Sequence, residues 1–230
     1  MLRLSRICIL AACTALAALP VRAQHATDTF PSQARKAALR LSMELKGALT
    51  RHMAAGGSSA AVNVCADSAQ ILTAAVSSAT GLAVQRVSTR PRNAKNAPDS
   101  LDLYALAGFE RLKASGGLAD STTLVVENLD GTRRLYVPIL TGPFCLTCHG
   151  DQESLKPELR KILTQRYPDD RATGYAPGDL RGAIRVAEHV RGVCRAGGRG
   201  LRGVNTQGSV IFHDASATPR PDEPPRDPPQ

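Results

Sequence analysis

The chain has 230 residues, with 29 Lys and Arg against 20 Asp and Glu and a formal net charge of +9. It is long enough for one domain with a real core, and its basic excess raises the question of a nucleic-acid partner. The Lys and Arg are scattered along the chain, however, so the charge reads as a solvated surface suited to acidic partners or lipid headgroups, and no nucleic acid is expected.

In chain order, Arg3 and Arg6 precede an apolar stretch from about Ile7 to Leu19, and Val21-Arg22-Ala23 follows as a small-residue cleavage site. Residues 1–23 therefore read as a secretory signal peptide. The apolar run is shorter than the roughly 20 residues that span a bilayer, and no transmembrane segment is expected in the mature chain. Lipidation at Cys13 is the alternative, but the chain stays apolar after it. Of six cysteines, Cys8 and Cys13 leave with the leader; Cys65, Cys145, Cys148 and Cys194 remain.

Over 32–55, apolar residues at Ala38, Leu39, Leu41, Met43, Leu45, Leu49 and Met53 follow one helical face, with Ser32 as N-cap. Gly56-Gly57-Ser58-Ser59 breaks that helix. A second runs over 60–78 and is rich in small residues, so something packs closely against it. A strand is expected at 83–88, then a shaped loop, RPRNAKNAPD, without periodicity. Asp99 or Ser100 caps a third helix with Leu103, Leu106 and Phe109 on its core side. The runs STTLVVEN and RRLYVPIL, separated by Leu129-Asp130-Gly131-Thr132, form the clearest hairpin. The segment FCLTCHG follows directly, then a helix over 154–167, a turn-rich stretch and a strand over 182–190. The tail over 189–230 lacks a helical or strand face and ends PRPDEPPRDPPQ, which reads as disordered. A reading-frame error beyond about residue 188 would produce the same change.

Cys145-Leu-Thr-Cys148-His149 has three readings. A thioredoxin-type redox pair opens a helix after the first strand of its fold, whereas this pair comes late, after a hairpin. A structural zinc site needs four ligands, and no second pair exists. Covalent attachment of a c-type haem accounts for all the residues. Two intervening residues on a helical turn match the separation of two porphyrin vinyl groups, and the next residue is placed to bind iron. That attachment takes place after export, in agreement with the leader. With aromatic residues at 3 % and no Trp, a large apolar cofactor would also supply core volume that the side chains do not.

The second iron ligand sets the function. No Met follows Met53, so the candidates are Met43, His52, Met53, Cys65, His189, Cys194 and His213, or an open site. Histidine is the commoner ligand type, and Cys65 equally reads as a small buried hydrophobe.

Four stretches in this order, AAVNVCADSA, RVSTRPRNAKNAPD, LYVPILTGPFCLTCHG and YPDDRATGYAPGDLRGAIRV, resemble the Tll0287-like haem domain family, DUF3365. The resemblance spans most of 35–187. It departs at Ala94, where a proline is usual, and after Val186. It implies an α+β, PAS-like domain over 30–188, with N-terminal helices, a small antiparallel sheet and one covalent haem c. It also implies that Cys65 is the second axial ligand opposite His149. The small neighbours Ala61, Ala66 and Ala69 suit a close approach of that helix to a ring.

Arg90 and Arg92 are candidates for pairing with haem propionates, since a guanidinium matches a carboxylate fork. Asn93 and Asn96 are placed to fix the loop, while Tyr167, Pro168 and Asp169 shape a wall. These readings combine into an exported, periplasmic monohaem cytochrome that is not an enzyme. It transfers single electrons to a redox partner whose identity is not written in the sequence. The alternatives are a redox or gas (NO/CO) sensor acting through a separate partner, and, with an open iron, a peroxidase-like activity.

Overall fold

A computed structural model describes residues 28–128, 131–188 and 209–213. The leader, Cys13, His189, Cys194 and most of the tail lie outside the described residues. The first element, α1 (Phe30–Thr80), is two helical arms joined at Gly56 and Gly57, as the Gly-Gly break predicts. Gly57 sits at φ +68°, a left-handed conformation that glycine adopts without a Cβ penalty. The helix begins two residues before the expected start, with Thr29 at the N-cap and a proline in its first turn. Ser32 therefore lies inside the helix and donates its hydroxyl to Thr29 O at 2.9 Å.

The remaining elements are β1 (Ala83–Val87), α2 (Ser100–Ala114), β2 (Thr123–Glu127), β3 (Arg133–Leu140), α3 (Leu146–His149), α4 (Pro157–Arg166), β4 (Leu180–Ala187) and β5 (Ser209–His213). The strands form an antiparallel sheet in the order β1-β4-β3-β2-β5. The class is α+β, as expected. The larger boundary differences are at the fourth helix, which starts at Pro157, and at the last expected strand, which runs over Leu180–Ala187. The expectation of an irregular tail needs correction at 209–213, which add an edge strand to β2. The repeated branched residues of Val210 and Ile211 supply strand propensity there.

The sheet is covered on both faces. Strand side chains alternate with period two, so Leu135 and Val137 of β3 face α1 while Tyr136 faces α2. The first arm of α1 packs through Phe30, Ala34, Ala37, Ala38 and Leu41. Leu39 and Met43 fall outside that face and are 43 % and 67 % exposed. On α2, Leu106 and Phe109 are buried as expected, but Leu103 is exposed and Asp102 is fully buried. Asp102 and Asp99 form a capping box at the start of α2. The Asp102 carboxylate also accepts from Arg185 at 2.9 Å and Tyr136 at 2.9 Å. This network fixes α2 to β3 and β4.

Candidate functional site

The CLTCH segment lies on one helical turn. Pro143–Cys145 form a short 3-10 turn that runs directly into α3, and Gly150 N closes it on Leu146 O at 3.0 Å. A Cβ at Gly150 would lie 2.7 Å from Leu146 O, so the backbone approach itself demands glycine. Cys145, Cys148 and His149 consequently line one wall of a cleft of about 240 Å³.

A strap over 170–175 crosses behind the motif and orients it. Tyr175 N donates to His149 O at 3.0 Å, and Gly174 N donates to Gly150 O at 2.6 Å. Ala172 O stands 2.7 Å from His149 Nδ1. A carbonyl only accepts, so Nδ1 carries the proton and Nε2 keeps its lone pair. Tyr175 packs edge-on against the imidazole, with ring centroids 6.3 Å apart. Burial is the largest cause holding His149 down, to a pKa of about 3, helped by the Arg92 and Arg181 charges. The ring is therefore a neutral imidazole of fixed tautomer, the state a metal ligand requires.

The loop arginines hold the strap. Arg92 Nε pairs with Asp170 Oδ2 at 2.9 Å, and its Nη2 donates to Cys148 O at 2.6 Å and Ala172 O at 3.2 Å. Arg90 donates to Arg171 O and Thr173 O and stacks on Tyr175 at 4.3 Å. Arg92 lines the cleft, whereas Arg90 is not among its lining residues. Both guanidiniums are largely committed to protein oxygens, because the irregular backbone they brace has few ladder bonds of its own. Asn93 Oδ1 accepts from Lys95 N, and Asn96 Oδ1 from Gln70 Nε2, so the loop is fixed as expected.

The second arm of α1 also lines the cleft and carries Cys65. Ala61 and Ala69 beside it are buried, and the small side chains let the cleft reach the helix. Burial pushes the Cys65 thiol up, against the lowering influence of Arg86 and Arg92. Cys148 is also raised, chiefly by burial. All three described cysteines are free thiols. Among the other iron-ligand candidates, Met53 lines the cleft, His52 does not, and Met43 is exposed. His213 falls on the edge strand farthest from β1. Tyr167 lines the cleft, as expected for a wall residue.

Sequence reasoning missed Arg86 and Arg181, which also line the cleft. Arg86 sits on β1 two residues after Val84, so it shares the face that packs under α1. A cation at a core-facing position of AVQRV was the available signal. Its Nε is buried without a hydrogen-bond partner, as is that of Arg181.

The donor set suits a covalently held haem. Two thiols share one turn, the adjacent imidazole has a free Nε2, a third thiol lines the same cleft, and buried guanidinium nitrogens lack partners among the described residues. Among the described residues, no group of three or more His, Cys, Asp or Glu is arranged to hold a bare metal ion. No described helix is long and apolar enough to cross a membrane.

Comparison with known proteins gives two matches. A family model described as Tll0287-like matches residues 15–188. The crystal structure of the cyanobacterial heme-protein Tll0287 aligns with a TM-score of 0.53 at 24 % identity, covering 70 % of this chain and 95 % of that one. No curated protein matches significantly.

Proposed function

The chain belongs to the Tll0287-like family, and on that premise we propose that it is an exported monohaem c-type cytochrome of PAS-like build that transfers single electrons. The observation that carries this reading is Cys145, Cys148 and a tautomer-fixed His149 on one turn, in a cleft that Cys65 also lines. A heme-protein among its structural neighbours supports the cofactor class.

A bound haem supplies a one-electron iron couple. The chain's own residues set its terms. Cys145 and Cys148 would hold the haem by thioether bonds. His149 presents Nε2; the Ala172 carbonyl keeps the ring from rotating, and burial with the Arg92 and Arg181 charges keeps it neutral. Cys65 offers its sulfur from α1, and a thiolate there would favour the ferric state and a low potential. With His149 and Cys65 both engaged by the bound group, small substrates would be kept from it, and no catalytic residue is proposed. Phe144, half-exposed beside Cys145, leaves one edge of the cleft open to a redox partner.

A redox- or gas-sensing reading is favoured by one observation: burial raises the Cys65 thiol, so the uncharged form is preferred whenever iron does not hold the sulfur. Cys65 would then leave on reduction.

The test is expression of the full chain with haem-attachment machinery. The denatured protein should carry the mass of one haem and keep its Soret band. The ferric protein should show a low-spin thiolate EPR signature that Cys65→Ser abolishes and Met53→Leu preserves. A low-spin ferric spectrum without thiolate character, abolished by Met53→Leu and preserved in Cys65→Ser, would transfer the ligand role to Met53. Ready CO binding after reduction would select the sensor, and a high-spin ferric resting state would select the open-iron alternative.

A further inference from the structure

A second cavity of about 190 Å³ opens off the main cleft between the first arm of α1 and the β1–β4 edge. The two share Lys46, Arg86, Arg181 and His149 among their lining residues. Among the described residues, no Asp or Glu lines either cavity. Arg181 Nη1 donates to Ser88 Oγ at 3.0 Å and Arg90 O at 3.2 Å, which leaves its buried Nε unused. Arg86 makes no ion pair among the described residues, and its buried Nε has no partner. Gly182 lines the chamber at φ +153°, and any side chain there would collide with Val87 O. Glycine at 182 is thus required by the close approach of the Val87 backbone.

Desolvating a cation without a partner is costly, and native proteins avoid it unless an anion completes the site. Two guanidiniums and an ammonium around one acid-free chamber are complementary to a pair of carboxylates. We propose that Lys46, Arg86 and Arg181 form the carboxylate chamber that receives the haem propionates, with Arg86 as its principal donor. The assignment rests on the haem reading above. It replaces Arg90 and Arg92 in the role expected from sequence, because those two are occupied in bracing the strap. Burial acts as the largest influence lowering the Arg86 pKa, consistent with a guanidinium that lacks its anion.

The experiment is resonance Raman spectroscopy of the holoprotein, read at the propionate-bending band. In the wild type the band should be displaced from its position in a small haem-peptide whose propionates are solvated. Arg86→Gln should return it towards that position, Arg86→Lys should return it partway, and Arg166→Gln, an exposed control, should leave it unmoved. A wild-type band at the solvated position overturns the proposal even if the Arg86 variants do not accumulate. So does a band indifferent to Arg86→Gln; a changed reduction potential in that variant would then make Arg86 the counter-charge of the Cys65 thiolate instead. Absence of covalent haem in the wild type is a separate result, and it overturns the haem reading with the chamber.

Discussion

Replacing Arg92 with Ala should unfasten the strap from the CLTCH turn. The Arg92 and Asp170 side chains are each only 11 % exposed, which places their ion pair in the buried class rather than the weak surface class. Truncation removes that pair and two further bonds, to Cys148 O and Ala172 O. Asp170 is left with the Ala172 N–H at 2.8 Å as its remaining partner. Removing one partner of a buried pair costs about 3–5 kcal/mol, a large share of a total stability of roughly 5–15 kcal/mol. With a urea m-value of about 2 kcal/mol per molar, the midpoint should fall by roughly 2 M. Urea titrations of haem-free protein, followed by circular dichroism, would measure this for Arg92→Ala, Asp170→Ala and the double variant. Arg92→Lys should recover only part of the loss, because an ammonium cannot span three acceptors as a fork does. A loss below about 1 kcal/mol in Arg92→Ala, or strictly additive effects in the double variant, would refute the strap's role.

Three further outcomes follow from the geometry. The folded state holds the His149 pKa at about 3 against an ordinary 6.5, so between those values the unfolded chain binds the extra proton. Haem-free protein should therefore keep full stability from this group above pH 6.5 and lose it on acidification, with a limiting slope of about 1.4 kcal/mol per pH unit; stability curves for wild type and His149→Gln would differ in that slope. Gly150→Ala puts a methyl 2.7 Å from Leu146 O, and denaturant melts should show a loss of about 1–3 kcal/mol with reduced haem attachment; unchanged values would show that the turn can relax. Asp102→Ala strips Arg185 and Tyr136 of their buried acceptor and should cost about 3–5 kcal/mol, with calorimetry as the check. Because Asp99 still faces Arg134 at 2.6 Å, the lower end of that range is expected.

Local chemistry was legible in the chain wherever a signal is short-range. The Gly56-Gly57 break, the β2–β3 hairpin and the Cys-x-x-Cys-His turn each depend on a few consecutive residues, and each appears where it was read. Capping was less legible: Ser32 was a suitable cap by type, but Thr29 lies far enough ahead for Phe30 to join the buried face. The arginines show the limit most clearly. Arg90 and Arg92 are conspicuous in a loop without periodicity, and a guanidinium in such a place serves equally as a brace or as a ligand donor. Only the folded chain brings Asp170, Ala172 and Cys148 to Arg92, across separations of 56 to 80 residues.

By itself, the order of residues determined the α+β class and the turn that displays two thiols beside an imidazole, because these depend on periodicity and fixed spacing along one segment. The tertiary structure decided the rest. It set Cys65 and Met53, but not His52 or Met43, on the cleft, and it left Arg86 without a counter-ion among the described residues on a core-facing strand position. Those outcomes depend on which helix face meets the sheet and which carbonyls a distant strap supplies, and such relations arise only when residues far apart in the chain are packed together.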